Sequence, residues 1–91
     1  MAQTVAEVLS AADDSVTLIN DINANGAESE NVPSDFNQEQ INDVVQRNVD
    51  HLELMLSWDG TNGQPDVAGS SEDKSSYTSA ITTGKAYIAA N

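Results

Sequence analysis

Cysteine is absent from this chain of 91 residues, so no disulfide can staple it and no thiolate can anchor a metal. The absence fits a reducing compartment or a virion. Basic residues are scarce as well. Arg47, Lys74 and Lys85 stand against 15 Asp and Glu, giving a net charge of −12. Phosphate backbones are held by clustered Lys and Arg, so this balance argues against direct nucleic-acid binding. It argues equally against an anionic membrane surface. No stretch approaches the roughly 20 apolar residues that span a bilayer. The first residues also lack the basic and apolar regions of a secretion signal. The single histidine, His51, has no second His or Cys with which to form a zinc site.

The charge that is present is unevenly placed. Residues 74–91 carry Lys74 and Lys85 and no acid, summing to +2, whereas residues 1–73 carry every Asp and Glu against Arg47 alone, summing to −14. A helix with one face in water normally carries charge there. This C-terminal stretch offers Ser, Thr, Ala and Gly instead, the composition of a surface that packs closely against something.

Three helices are predicted, at about residues 5–23, 38–57 and 71–90. The first opens on Thr4 and Glu7, which have capping-box spacing. Its apolar stripe runs Val5, Val8, Leu9, Ala12, Val16, Ile19 and Ile22, in steps of three and four. Asn25-Gly26 stops it, and residues 24–36 read as a loop. The second helix has Asn37 as N-cap with Gln40 in the capping-box position, and Phe36 and Ile41 at hydrophobic-staple positions. Ile41, Val44, Val45, Val49, Leu52, Met55 and Leu56 form its stripe, and Asp43 and Arg47 are spaced for an ion pair. Residues 58–69 form a second loop, in which Asp59-Gly60 and Asn62-Gly63 mark turns. The third helix is predicted to start near Ser70 or Ser71, with Asp73 completing its cap. Its stripe is Tyr77, Ala80, Ile81, Gly84 and Ile88. Gly84 costs close to 1 kcal/mol against Ala in an exposed helix interior, which suggests close backbone packing. Tyr77 and Tyr87 are about 80° apart in helical phase, so Tyr87 is expected outside.

Helices of 18–20 residues would be roughly 27–30 Å long, and short loops favour antiparallel neighbours. The expected architecture is all-α: one domain over residues 1–91, as a three-helix bundle or a helical hairpin with a docked C-terminal helix. Both chain ends are expected to be held, by a partner or by the domain itself.

Catalytic chemistry finds little to stand on. Asp59-Gly60-Thr61-Asn62-Gly63 begins like a calcium loop but lacks the alternating oxygen ligands and the closing Glu. Ser15 follows Asp13-Asp14 as the modified serine of acyl carrier proteins follows an Asp, yet it falls in mid-helix and lacks the following Leu. No nucleophile–base pairing and no phosphate loop is present. No enzyme activity, cofactor or metal is expected.

Two stretches carry a family likeness. They are Arg47-Asn48-Val49-Asp50-His51-Leu52-Glu53-Leu54-Met55-Leu56, and the C-terminal pieces Asp73-Lys74-Ser75-Ser76-Tyr77 and Gly84-Lys85-Ala86-Tyr87-Ile88-Ala89-Ala90-Asn91. They resemble small virion proteins of tailed bacteriophages, which are short, acidic and free of Cys, with a helical end rich in Ser, Thr and Ala. The likeness covers about the last half of the chain, lies in composition rather than in a diagnostic motif, and carries over no residue's role. It implies a structural subunit of a head, neck or tail, repeated by symmetry and located in the virion.

The sequence thus leads to a non-enzymatic assembly subunit that engages neighbouring chains, as a homo-oligomer or within a larger virion assembly. The candidate interface residues are Trp58, Tyr77, Ile81, Gly84, Tyr87 and Ile88. The alternative is an acidic inhibitor in the host cytoplasm that imitates DNA or blocks a nucleic-acid-binding protein.

Overall fold

The computed structural model describes residues 3–91. It contains three α-helices, α1 (Val5–Asn25), α2 (Gln38–Ser57) and α3 (Ser75–Ala90), with a short 3-10 turn at Gly26–Glu28. Among the described residues there is no strand, only an isolated antiparallel bridge between Asp59 and Asp66. Among the described residues no helix is long and apolar enough to cross a membrane.

Both expected capping boxes close. Glu7 N donates to Thr4 Oγ1 at 3.1 Å while Thr4 N donates to Glu7 Oε1 at 3.0 Å. In α2 the reciprocal pair between Asn37 and Gln40 measures 2.8 Å in both directions. Each box satisfies two of the amides that a helix start leaves open. α1 ends where Gly26 takes a positive φ of 56° and its N–H donates to Ile22 O.

α3 starts four residues later than the sequence predicts for 71–90. Ser70 does not cap it, because Ser70 belongs to the loop. Its N–H (3.1 Å) and its hydroxyl (2.8 Å) both donate to Val67 O. Its own carbonyl accepts from Lys74 Nζ at 2.8 Å. Val67 anchors this arrangement by being fully buried in the core. Asp73 Oδ1 then accepts from Ser75 N at 2.9 Å, taking over the role given to Ser70. The expected Asp43–Arg47 pair does not form; the ion pair among the described residues joins Lys85 Nζ to Glu53 Oε2 at 3.0 Å. Both pairs are exposed and worth a few tenths of a kcal/mol, too little to dictate geometry.

Cross-links between helices fix the topology. Tyr77, at the start of α3, donates to Asp13 Oδ1 in the first half of α1, and Tyr87 ten residues on lies beside Gly26 at the end of α1. Tyr87, near the end of α3, accepts from Gln38 Nε2 at the start of α2. Ser15 in α1 donates to Asn48 in the middle of α2. α1 and α3 therefore run parallel and α2 runs antiparallel to both. Each helix packs on the other two, and the extents of 39 × 24 × 17 Å describe a bundle one helix long.

One core lies between the three helices. Val8, Leu9, Ala12, Ile19 and Ile22 of α1 meet Ile41, Val45, Val49, Leu52 and Met55 of α2, and Tyr77, Ala80 and Tyr87 of α3. Val32 and Val67 seal it from the loops. Its tightest point is Gly84. A Cβ there would stand 2.5 Å from Val49 Cγ2, 3.3 Å from Val45 Cγ1 and 3.4 Å from Ile19 Cγ2. At the C-terminal end Asn91 Nδ2 donates to Tyr87 O at 2.9 Å, a bond within the last turn of α3. The expected anchoring of the N-terminal end falls on Met1 and Ala2, which lie outside the described residues.

Candidate functional site

The six residues expected at an interface sit mostly inside the bundle. Tyr77, Gly84 and Tyr87 are buried. Ile81, Ile88 and Trp58 are partly buried and pack against the core. Trp58 closes the end of α2: its N–H donates to Met55 O at 3.2 Å and its carbonyl accepts from Ala68 N at 2.8 Å. These residues attach α3 and the second loop to their own domain.

Tyr87 is thus corrected from outside to inside. α3 lies in the groove of two helices, so its buried arc is wide enough for two tyrosines on opposite flanks. Tyr77 turns to α1, where its hydroxyl donates to Asp13 Oδ1 at 2.8 Å with Leu9 O at 3.3 Å. Tyr87 turns to α2 and to the end of α1; a Cβ on Gly26 would lie 4.0 Å from its Oη.

Burial first, and then the hydrogen bond to Asp13, push the Tyr77 hydroxyl up to about 12. The folded state holds this proton more tightly than the unfolded state, whose tyrosine titrates near 10.0. The stability that this linkage contributes is present below pH 10 and is lost as pH rises towards 12. An ultraviolet titration should therefore show one tyrosine ionising near pH 12, and Tyr77→Phe should remove that transition.

Exposed on α3 are Ser75, Ser76, Thr78, Ser79, Thr82, Lys85, Ala86, Ala89 and Ala90. The threonines turn their hydroxyls back to the helix. Thr82 Oγ1 donates to Thr78 O at 3.2 Å and Thr78 Oγ1 to Ser75 O at 3.1 Å. The two lysines of the segment are also occupied. Lys85 pairs with Glu53, and Lys74 Nζ donates to the carbonyls of Ser70 and Glu72. Apart from Lys85, which pairs with Glu53, the exposed face of α3 is small-featured and carries no acid. By contrast α1 exposes Glu7, Asp13 and Asp14, and α2 exposes Asp43 and Asp50.

Comparison with protein-family models, curated proteins and solved structures finds no match to this chain.

The remaining sequence candidates are placed plainly. His51 is exposed on α2, and among the described residues no group of three His, Cys, Asp or Glu is arranged to hold a metal. Ser15 is buried and donates to Asn48 Oδ1 at 2.9 Å, while Asn48 Nδ2 donates to Val44 O at 2.8 Å. The hydroxyl that follows Asp13-Asp14 is therefore a packing element. A concavity lined by Gln3, Ala6, Glu7, Ser10, Ala11 and Asp14 is walled by one helix and open to solvent, too shallow to enclose a small ligand. Leu54 is the exposed large apolar side chain, at 57% accessibility, and isolated surface leucines are ordinary. Sequence reasoning missed Ser15, Asn48 and Val67. The signal available for Val67 was that it is the one Val, Ile or Leu in the loop over residues 58–69.

Proposed function

We propose that this chain is a non-enzymatic structural subunit, a small component of a virion head, neck or tail, which docks on neighbouring protein chains through the outward arc of α3. The observation that carries the reading is the contrast between this acid-free arc, whose one cation Lys85 is paired with Glu53, and the acid-bearing outer faces of α1 and α2. An acid-free, small-featured helix face can approach another backbone without desolvating carboxylates of its own, whereas buried charges are costly. The acidic faces keep the subunit soluble and repel unintended association elsewhere. The likeness of the C-terminal half to small virion proteins supports the same reading.

The test uses substitutions that leave the core alone. Ser79→Arg together with Ala86→Arg places two bulky cations on the arc at exposed positions. Stability should change by no more than about 0.5 kcal/mol per site. Mass in solution, by light scattering with size-exclusion chromatography, should fall from oligomer to monomer. Asn20→Arg, on the exposed side of α1, should leave the oligomer intact. An oligomer unaffected by the α3 pair would overturn the assignment of the face. A parent chain that is monomeric alone would direct the same variants to co-purification with the other components of a particle.

A further inference from the structure

The chain contains two Asn-Gly pairs, Asn25-Gly26 and Asn62-Gly63, in very different settings. Asn-Gly is the dipeptide most open to attack of a backbone nitrogen on the preceding side-chain amide, because glycine has no Cβ to obstruct the approach.

At Asn25 the reacting groups are restrained. Asn25 Nδ2 donates to Asp21 Oδ1 at 2.7 Å, and the Gly26 N–H donates to Ile22 O at the end of α1. Asp21 is itself fixed, since its Oδ2 accepts from Ser29 Oγ and from Asn31 Nδ2. Attack by the Gly26 nitrogen would require breaking the helix end and this carboxylate-centred cluster together.

At Asn62 nothing comparable holds the pair. Thr61, Asn62, Gly63 and Gln64 form a tight turn closed by Gln64 N donating to Thr61 O at 3.0 Å. Asn62 has a φ of 58° and Gly63 a φ of 78°. Both are exposed, and a Cβ on Gly63 would meet nothing within 4 Å. The neighbouring bonds from Thr61 to Asp59 Oδ1 fix Thr61 and leave the Asn62 amide and the Gly63 nitrogen free.

We propose that Asn62 is a site of spontaneous deamidation in the folded protein, and that the fold protects Asn25. The Gly63 backbone nitrogen, on losing its proton, bonds to Asn62 Cγ. The Cγ–Nδ2 bond breaks and ammonia leaves with that proton, forming a five-membered succinimide. Water then opens the ring at either carbonyl, giving Asp or its isomer with the chain routed through the side-chain carbon. No oxidant or reductant takes part. Each event adds one negative charge, taking the formal charge from −12 to −13.

The experiment is incubation of the full chain in mildly alkaline buffer at physiological temperature, with peptide mapping by mass spectrometry over time. The expected result is a gain of about one dalton at residue 62, with the isomer present, at least an order of magnitude faster than at residue 25. In concentrated urea the two sites should convert at similar rates, since both are then Asn-Gly in an open chain. Equal rates in the folded protein, or an unmodified Asn62, would overturn the proposal. So would a difference that persists in urea, because flanking sequence and not the fold would then be its source.

Discussion

Replacing Gly84 with leucine is expected to leave the chain without a cooperative fold. Even the first carbon of a side chain at this position would stand 2.5 Å from Val49 Cγ2, far inside van der Waals contact. Val49 is fully buried and β-branched, so in a helix its rotamer is nearly fixed and it cannot swing aside. Val45 and Ile19 close the remaining directions at 3.3 and 3.4 Å. Overpacking by a few methylenes costs about 1–3 kcal/mol, and a whole isobutyl group at the meeting point of three helices exceeds that range. A domain of this length has roughly 5–14 kcal/mol to lose. Gly84→Ala should be milder, with a net loss of about 1–2 kcal/mol, because the gain in helix propensity offsets part of the clash. Combining Gly84→Ala with Val49→Ala should cost less than the sum of the two alone, as expected for residues in direct contact. Denaturant melts of the four proteins measure this. Additive losses would mean that Val49 does not confront residue 84.

Ending the chain after Gly69 is expected to abolish cooperative folding as well. α3 supplies Tyr77, Ala80 and Tyr87 to the core and seats Gly84 against Val45 and Val49. A buried large side chain is worth about 1.5–3 kcal/mol, so the two tyrosines with Ile81 and Ile88 approach the stability of a domain this small. Without them Ile19, Val45 and Val49 would face water along one side of the α1–α2 hairpin. Far-ultraviolet circular dichroism of the shortened chain should show a broad, non-cooperative melt in place of a sigmoidal one. A retained sharp transition would show that the hairpin is stable alone.

The elements most legible in the sequence are those whose signals are local. The capping boxes at Thr4–Glu7 and Asn37–Gln40 use side chains three residues apart, and both form as read. The apolar stripes of α1 and α2 identify all their buried apolar residues, because steps of three and four translate directly into one face. What the chain hides is set by distant partners. Tyr87 looks out of phase until α3 is placed between two helices, where burial spans two flanks. Ser70 has the spacing of an N-cap, but Val67 enters the core and carries the backbone around Ser70 into a turn. Gly84 is legible as a point of close approach, yet whether the approaching helix belongs to the same chain is a question of tertiary arrangement, and here it does. The outward arc of α3 is visible in the sequence only as an absence of acid; that its threonine hydroxyls are turned inward requires the helix.

The Ser15–Asn48 contact bears on how the bundle finds a single alignment. The seam between α1 and α2 is otherwise lined by Val, Leu, Ile and Met, side chains that tolerate many mutual offsets at similar energy. Sliding α1 along α2 by one helical turn, about 5.4 Å, would preserve most of that oily contact. It would also separate Ser15 from Asn48 and take from the buried Ser15 hydroxyl its partner across the seam, at roughly 1–3 kcal/mol. Mis-slid forms are penalised at one point along an otherwise permissive track. A single hydroxyl and a single amide thereby act as the notch that determines where the two helices come to rest.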